Sequence, residues 1–369
     1  MYVIHYDEIG LKGNNRRYFE NQLVRNLKQF GDVVKKRSYI TLDSSEDVKD
    51  SVALIPGVAY FGVALEAEFD LNDVGAKVLE LLRGKDFASF RINTVRRNKK
   101  FSKTSREVNE ILGGVVLEKY DCKVDLKNAS ITVYVEVCDE SIFIYTARVK
   151  GVGGLPVGSA GRVVSLLSGG LDSPVASFQM MKRGAVVVFV HFVNKTQQSC
   201  AVKDKISELV NVLSKVQRKC KLYMVPFDEI QQEIIAKVDS KFRMIVYRRF
   251  MMRIASLVAE KEHCMGLVTG DSLSQVASQT VENLDCVYSV VDDVVLSPLI
   301  GMNKEEIVNI ARRIGTYDVS ILPYGDCCSF LIAKHPVIKG KREQFEKIDS
   351  ELDLSLVEKA FEKSDKIVL

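Results

Sequence analysis

The order of strand-like and helix-like stretches predicts an α/β protein in which two small α+β modules precede a doubly wound parallel-sheet domain. Three observations carry this expectation. Beyond residue 161, VVSLL, AVVVFVHF, KLYMVPF and GLVTG are short apolar runs, each followed by a helical pattern, the alternation of a parallel sheet covered on both faces. Before residue 150 the runs ITVYVEV and SIFIYTARV alternate and read as a hairpin around Cys138, Asp139 and Glu140. Between the two regions GVGGLPVGSAG, residues 151–161, reads as a linker.

In the first module, residues 1–55, YVIHY is a strand. Asn14 to Phe30 carries Phe19, Leu23, Leu27 and Phe30 at helical spacing, and Gly31 stops it. A strand near Ser38 to Leu42, a helix starting among Ser44 to Asp47 and a β-rich run from Ala59 to Phe69 follow. That order suggests a split βαβ, ferredoxin-like unit. The second module, residues 56–150, has a helix near Leu71 to Leu82, the strand FRINTVRR and the capping box of Thr104 and Glu107 opening a helix toward Leu117, and it ends in the hairpin. The parallel-sheet domain spans 162–345, and the Lys/Glu-rich residues 346–369 read as a helical tail packed on the outside.

Length and composition exclude several classes. A chain of 369 residues exceeds what one core usually supports, and 47% apolar with 27% charged residues is globular rather than disordered. Lys plus Arg (52) against Asp plus Glu (48) leaves only +4, so bulk charge announces no nucleic-acid partner, and one would have to be sought in local clusters. Eight scattered cysteines, with no secretory leader and no run approaching the roughly 20 apolar residues of a membrane span, predict reduced thiols in a cytoplasmic protein without a membrane. Cys327 and Cys328 stand out by being adjacent.

Chemistry concentrates in two strand–loop–helix junctions. In VVSLLSGGLDSPVA, Gly169 and Gly170 let the backbone approach an anion, the helix N-terminus offers unpaired N–H groups, and Ser168 and Ser173 add hydroxyl donors. No Lys follows the glycines, so this is not the GxxxxGK[ST] loop of γ-phosphate transfer. The second junction, LVTGDSLSQVASQT, should face the first, because loops at the carboxyl ends of strands in an open α/β sheet share one crevice. A basic, acid-free stretch, residues 91–103, holds Arg91, Arg96, Arg97, Lys99, Lys100 and Lys103 with Asn98 and Phe101 interleaved, and Lys12, Arg16 and Arg17 form a second basic set. Either is a candidate surface for phosphodiester contacts or an ordinary solvated face.

SGGLDS resembles the PP-loop of ATP pyrophosphatases, which split ATP between its α and β phosphates. Together with EIGLKGNNRRYFE, TGDSLSQVASQT and PYGDCCSFLIAKHP, in that family's order, it makes the chain resemble the tRNA 4-thiouridine synthetase family, also called tRNA sulfurtransferase or ThiI, from residue 2 to about 340. The resemblance implies a ferredoxin-like domain and a THUMP domain that hold tRNA, followed by a PP-loop domain that adenylates and thiolates uridine at position 8. It implies an ATP site of Leu166, Leu167, Ser168, Gly169, Gly170, Asp172, Ser173, His191, Phe192, Arg248, Gly270 and Gln279, with Asp172 beside an ATP-associated Mg²⁺. His191 alone would read as an ordinary strand-end histidine. Cys328 would carry sulfur as a persulfide, with Lys334 or His335 favouring the anion, and Cys327 or Cys200 would resolve it. The alternatives are another ATP-dependent RNA modification, 2-thiolation or amidation, or a non-catalytic RNA-binding protein.

Many relatives carry a rhodanese domain that feeds sulfur and also serves thiamine thiazole synthesis; this chain ends at Leu369 with no room for one. The expected donor is therefore a cysteine desulfurase or inorganic sulfide, and the thiamine role is in doubt. Some relatives hold an iron–sulfur cluster through Cys-x-x-Cys; QQSC at 197–200 offers one thiol, so only Cys200, Cys327 and Cys328 remain for a cluster, which weighs against one. A homodimer is expected from the family alone.

Overall fold

The computed structural model describes residues 1–194, 200–323, 333 and 335–369, and the side chains of 200–203 are outside that description. Two compact units result, Met1–Gly154 and Leu155–Leu369.

In the first unit β1 (Tyr2–His5), α1 (Arg16–Leu27), β2 (Asp32–Lys35), β3 (Ile40–Asp43), α2 (Lys49–Ala53) and β4 (Tyr60–Val63) follow the βαββαβ order of a ferredoxin-like fold. Their antiparallel sheet runs β4-β1-β3-β2. Leu23 and Leu27 of α1 are fully buried against Ile4, Ile40, Leu42 and Phe61, as their helical spacing requires. Strand β2 was not anticipated, and α2 starts later than expected. Ser44 and Asp47 accept backbone N–H bonds from Glu46 and Lys49 instead, holding a turn ahead of the helix.

The run from Ala59 to Phe69 divides between two sheets. After β4, β5 (Leu65–Ala67) opens a second sheet with α3 (Leu71–Leu82), β6 (Ser89–Arg96), α4 (Ser105–Lys119), β7 (Lys123–Val124), β8 (Ile131–Val137) and β9 (Ile142–Tyr145), in the order β5-β9-β8-β6-β7. Thr104 and Glu107 cap α4 reciprocally. A last strand, β10 (Val149–Lys150), returns to pair with β4. The sheets therefore change over between residues 63 and 65, and the module boundary expected at 55/56 moves accordingly.

The glycine-rich residues 151–161 are not a loose tether. Gly151 and Gly153 donate to Ala59 and Val58 of the first unit, Leu155 and Gly158 to Lys182 and Gly184 of the second, and Val152, Leu155 and Val157 are buried.

The second unit contains β11 (Arg162–Leu166), α5 (Asp172–Lys182), β12 (Val186–Val193), α6 (Cys200–Gln217), β13 (Lys221–Pro226), α7 (Asp228–Lys237), α8 (Ser240–Glu262), β14 (Gly266–Val268), α9 (Val281–Tyr288), β15 (Val294–Leu296), α10 (Lys304–Ile314), α11 (Tyr317–Ser320), α12 (Arg342–Ser350), α13 (Ser355–Glu362) and β16 (Asp365–Val368). The sheet order is β15-β14-β11-β12-β13-β16, parallel except for β16. The chain leaves β11 toward β12 and later returns to its other side as β14, so a topological switch point lies at the carboxyl ends of β11 and β14. The helical tail expected at 346–369 is corrected: α12 begins before it, and β16 closes the sheet edge beside β13. Glu262 anchors that edge through Lys221, Lys366 and Tyr223. Burial would raise the Glu262 carboxyl, but these donors pull it down to about 2. Among the described residues no helix is long and apolar enough to cross a membrane.

Candidate functional site

A cleft of about 500 Å³ opens at the switch point. Its floor is the turn from β11 into α5. Ser173 sits just inside that helix, where its hydroxyl accepts the Ser168 N–H at 2.8 Å and lies 3.0 Å from the Ser168 hydroxyl. Beneath the turn, the buried Ser165 and Ser177 hydroxyls meet at 2.9 Å, and Ser177 donates to the Ser173 carbonyl at 2.8 Å. The loop is thus tied to both strand and helix, and at its tip the Gly170 N–H donates to the Ser168 hydroxyl at 3.3 Å.

The loop after β14 packs directly on this turn, as the parallel-sheet argument anticipates. A Cβ on Gly270 would stand 2.9 Å from the Ser173 nitrogen and 3.2 Å from the Asp172 carbonyl carbon, so only glycine allows this approach. Ten of the twelve expected nucleotide residues line the cleft: Leu166, Leu167, Ser168, Asp172, Ser173, His191, Phe192, Arg248, Gly270 and Gln279. Gly169 and Gly170 lie between them in the loop. Met244, Ile245, Met251, Val276 and Val337 supply an apolar wall. His191 is buried with Nδ1 2.7 Å from the Leu167 carbonyl; since a carbonyl only accepts, the proton resides on Nδ1.

Sequence reasoning missed three polar groups here. Lys304, the first residue of α10, donates to Asp172 Oδ1 at 2.6 Å, while Gln275 donates to Oδ2 at 3.0 Å. The Asn303–Glu306 capping box marked that helix start, but nothing local marked its lysine as a neighbour of Asp172. Asp271, 3% exposed, accepts from Arg248 at 2.5 Å, Tyr288 at 2.6 Å and Gln279 at 3.0 Å. Burial alone would raise its carboxyl, but the Arg248 charge and these hydrogen bonds hold it below the usual range. Burial and the neighbouring Asp271 push the Tyr288 hydroxyl up to about 12.

Not every arginine of α8 serves the cleft. Arg248 faces it, whereas Arg249 and Arg253 both bind Asp349 of α12. Helical geometry separates positions 248 and 249 by about 100°.

In the first unit the basic set divides. Lys99 and Lys100 are exposed, Lys103 is half-buried, and Lys12 lies 5.1 Å from the Phe19 ring centre. The arginines are engaged internally: Arg16 with Tyr6, Glu20 and the Arg37 carbonyl, Arg91 with Thr132 and Leu126, and Arg96 with the Phe101 and Lys103 carbonyls. Arg97 binds Tyr60 and Glu136, both at 3.2 Å. Glu136, fully buried, also lies 2.9 Å from His5 and accepts from Tyr145 at 2.5 Å. This network joins the two sheets of the unit. Desolvation would raise the Glu136 carboxyl, yet His5, Tyr145 and Arg97 bring it down to about 2.

Cys327, Cys328 and Lys334, and the side chain of Cys200, lie outside the described residues. No group of three or more His, Cys, Asp or Glu suited to a metal occurs among the described residues.

Residues 158–354 match the family described as thiamine biosynthesis protein (ThiI), residues 68–147 a THUMP domain and residues 1–62 a ThiI ferredoxin-like domain. A probable tRNA sulfurtransferase of Thermoanaerobacter sp. is 40% identical over 352 residues, covering 93% of this chain and 92% of that protein. One from Thermus thermophilus is 40% identical over 348 residues, covering 92% and 86%. A solved 4-thiouridine synthetase in complex with RNA and ATP superposes with a TM-score of 0.91 at 35% identity, covering 100% of this chain and 99% of that one.

Proposed function

Because the chain belongs to the ThiI family of tRNA sulfurtransferases, we propose that it performs ATP-dependent sulfur transfer to uridine 8 of tRNA, producing 4-thiouridine. The observation that carries the reading is the cleft, in which Gly270 brings the second loop against the SGGLDS turn. Uracil O4 attacks the α phosphorus of ATP, pyrophosphate leaves, and the adenylated oxygen becomes a good leaving group. The terminal sulfur of a Cys328 persulfide attacks C4 and AMP departs. A thiol, Cys327 or Cys200, then attacks the Cys328 sulfur, freeing the 4-thiouridine and leaving a disulfide that must be reduced.

The Gly169 backbone N–H and the Ser168 and Ser173 hydroxyls hold phosphate oxygens. Asp172, with 21% of its side chain exposed, would offer a carboxylate to a magnesium ion through the lone pairs that Lys304 and Gln275 leave. Such an ion would neutralise phosphate charge, and Lys304 places a second positive charge at the same spot. Lys12, Lys99, Lys100 and Lys103 contact the RNA backbone, while Arg16, Arg91, Arg96 and Arg97 shape the surface that presents them. The enzyme acts in the cytoplasm as a homodimer; a cysteine desulfurase as donor would charge Cys328 with sulfane sulfur, whereas sulfide as donor, already fully reduced, would attack C4 of the adenylated base directly without the persulfide.

Thiolation of unmodified tRNA with ATP and either sulfide or a desulfurase tests reaction and donor together. The expected product is 4-thiouridine with one pyrophosphate released per base. Unchanged 4-thiouridine in tRNA from a deletion strain would defeat the proposal, and full desulfurase-driven activity in Cys328→Ser would remove the carrier assignment.

A further inference from the structure

Gln279 is 9% exposed and lines the cleft, and its Oε1 is buried with no hydrogen-bond partner among the described residues. Its orientation is chemically determined. Asp271 Oδ1, 3.0 Å away, belongs to an ionised carboxylate, which only accepts, so the Gln279 amide must turn its NH₂ group toward it. The amide oxygen is left as an acceptor. A buried acceptor without a partner is costly, and a cleft is where a ligand relieves that cost.

The Asp271 carboxylate is itself braced. Its Oδ2 takes Arg248 and Tyr288, and the Tyr288 hydroxyl lies 3.0 Å from both Thr269 and Ser297, which are 3.0 Å from each other. Arg248 also reaches the Ser278 carbonyl at 3.3 Å. One carboxylate therefore sets the direction of two cleft-lining side chains at once.

We propose that Asp271 is a positioning residue that fixes Gln279 as a hydrogen-bond acceptor for an N–H or O–H donor on the nucleoside part of the bound nucleotide, and not for its phosphates. Phosphate oxygens only accept and would face Oε1 unfavourably; an exocyclic amine or a ribose hydroxyl supplies the missing proton. The inference rests on the cleft being the ATP site proposed above.

The test is equilibrium binding to the full-length protein of ATP, 2′-deoxy-ATP, 3′-deoxy-ATP and purine riboside triphosphate, which lacks the exocyclic amine. The wild type should bind ATP tightest, with one analogue weakened about 5- to 20-fold. In Gln279→Met that analogue and ATP should bind equally, because the acceptor is gone, while tRNA affinity and thermal midpoint stay near wild type. Asp271→Asn, which lets the amide turn over, should lose the same discrimination. If Gln279→Met keeps every analogue's deficit, or Asp271→Asn leaves discrimination intact, the inference falls. Should Asp271→Asn fail to fold, the Gln279→Met arm decides alone. If wild-type protein binds no ATP, the proposed function fails instead.

Discussion

Two buried carboxylates, Glu136 in the first unit and Asp271 in the second, have nearly the same chemistry and different consequences. Each accepts from an arginine and a tyrosine, and in each case the partners, His5 first at Glu136 and Arg248 first at Asp271, overcome the desolvation that would otherwise favour the neutral acid. Glu136 gathers His5, Arg97 and Tyr145 from two sheets, with Arg148 stacked 4.5 Å over Tyr134 and 4.7 Å over Tyr60 to close the cluster. Asp271 gathers Arg248 and Gln279, two residues that line the cleft, and the buried Gln279 Oε1 has no hydrogen-bond partner among the described residues. A depressed carboxyl does not by itself mark a functional site; what distinguishes the two is that the partners of Asp271 line a cleft, whereas those of Glu136 tie two sheets together.

The sharpest way to break this comparison is to remove Glu136. Glu136→Ala leaves Arg97 without its buried counter-charge and should cost about 3–5 kcal/mol in denaturant unfolding. It should weaken tRNA binding while leaving ATP affinity of the folded fraction unchanged; a matching loss of ATP affinity would mean that the carboxylate acts beyond its own unit.

The acid limb sharpens the same point. Glu136 titrates near 2 in the folded protein against an ordinary 4.5, so the unfolded chain takes up its proton first. Its stabilisation is full above about pH 4.5 and is lost as pH falls toward 2. Glu136→Gln should therefore flatten the loss of stability across that window, measured by thermal unfolding at stepped pH.

Gly270→Ala strikes only the cleft. With a Cβ 2.9 Å from the Ser173 backbone, the two loops must separate, and pyrophosphate release should fall about 100-fold, as expected when a reacting group is displaced by about 1 Å. An unfolding midpoint near wild type would confine the effect to the site. The smallest effect belongs to the surface: Lys99→Ala with Lys100→Ala should lower tRNA affinity by several-fold and reduce the salt slope of binding by about 1–2, with no change in ATP affinity.

Much of the cleft was legible because its signals are local. A buried apolar strand, a glycine-serine turn and a helix start adjoin in Val163 to Lys182, and Gly270 and Gln279 lie within one similar run. The positive surface was only half legible. Clustering at 91–103 is plain, but a charge count does not say which arginines reach solvent. Arg96 turns back onto the Phe101 and Lys103 carbonyls, and Arg97 is drawn to a glutamate 39 residues on.

Periodicity, glycine positions and caps sufficed to establish the helices of Leu23 and Thr104, four strands of the parallel sheet, and the glycine-serine turn between β11 and α5, since each depends on neighbours within a few residues. Only the tertiary structure decided that Ala59 to Phe69 serves two sheets, that the last residues close the edge beside β13, that Lys304 meets Asp172, and that Asp271 directs Arg248 and Gln279. Those outcomes depend on which distant strand is free to pair and which buried charge must find a partner. Desolvation makes that pairing compulsory, but the chain's folding, not its local pattern, selects the partner.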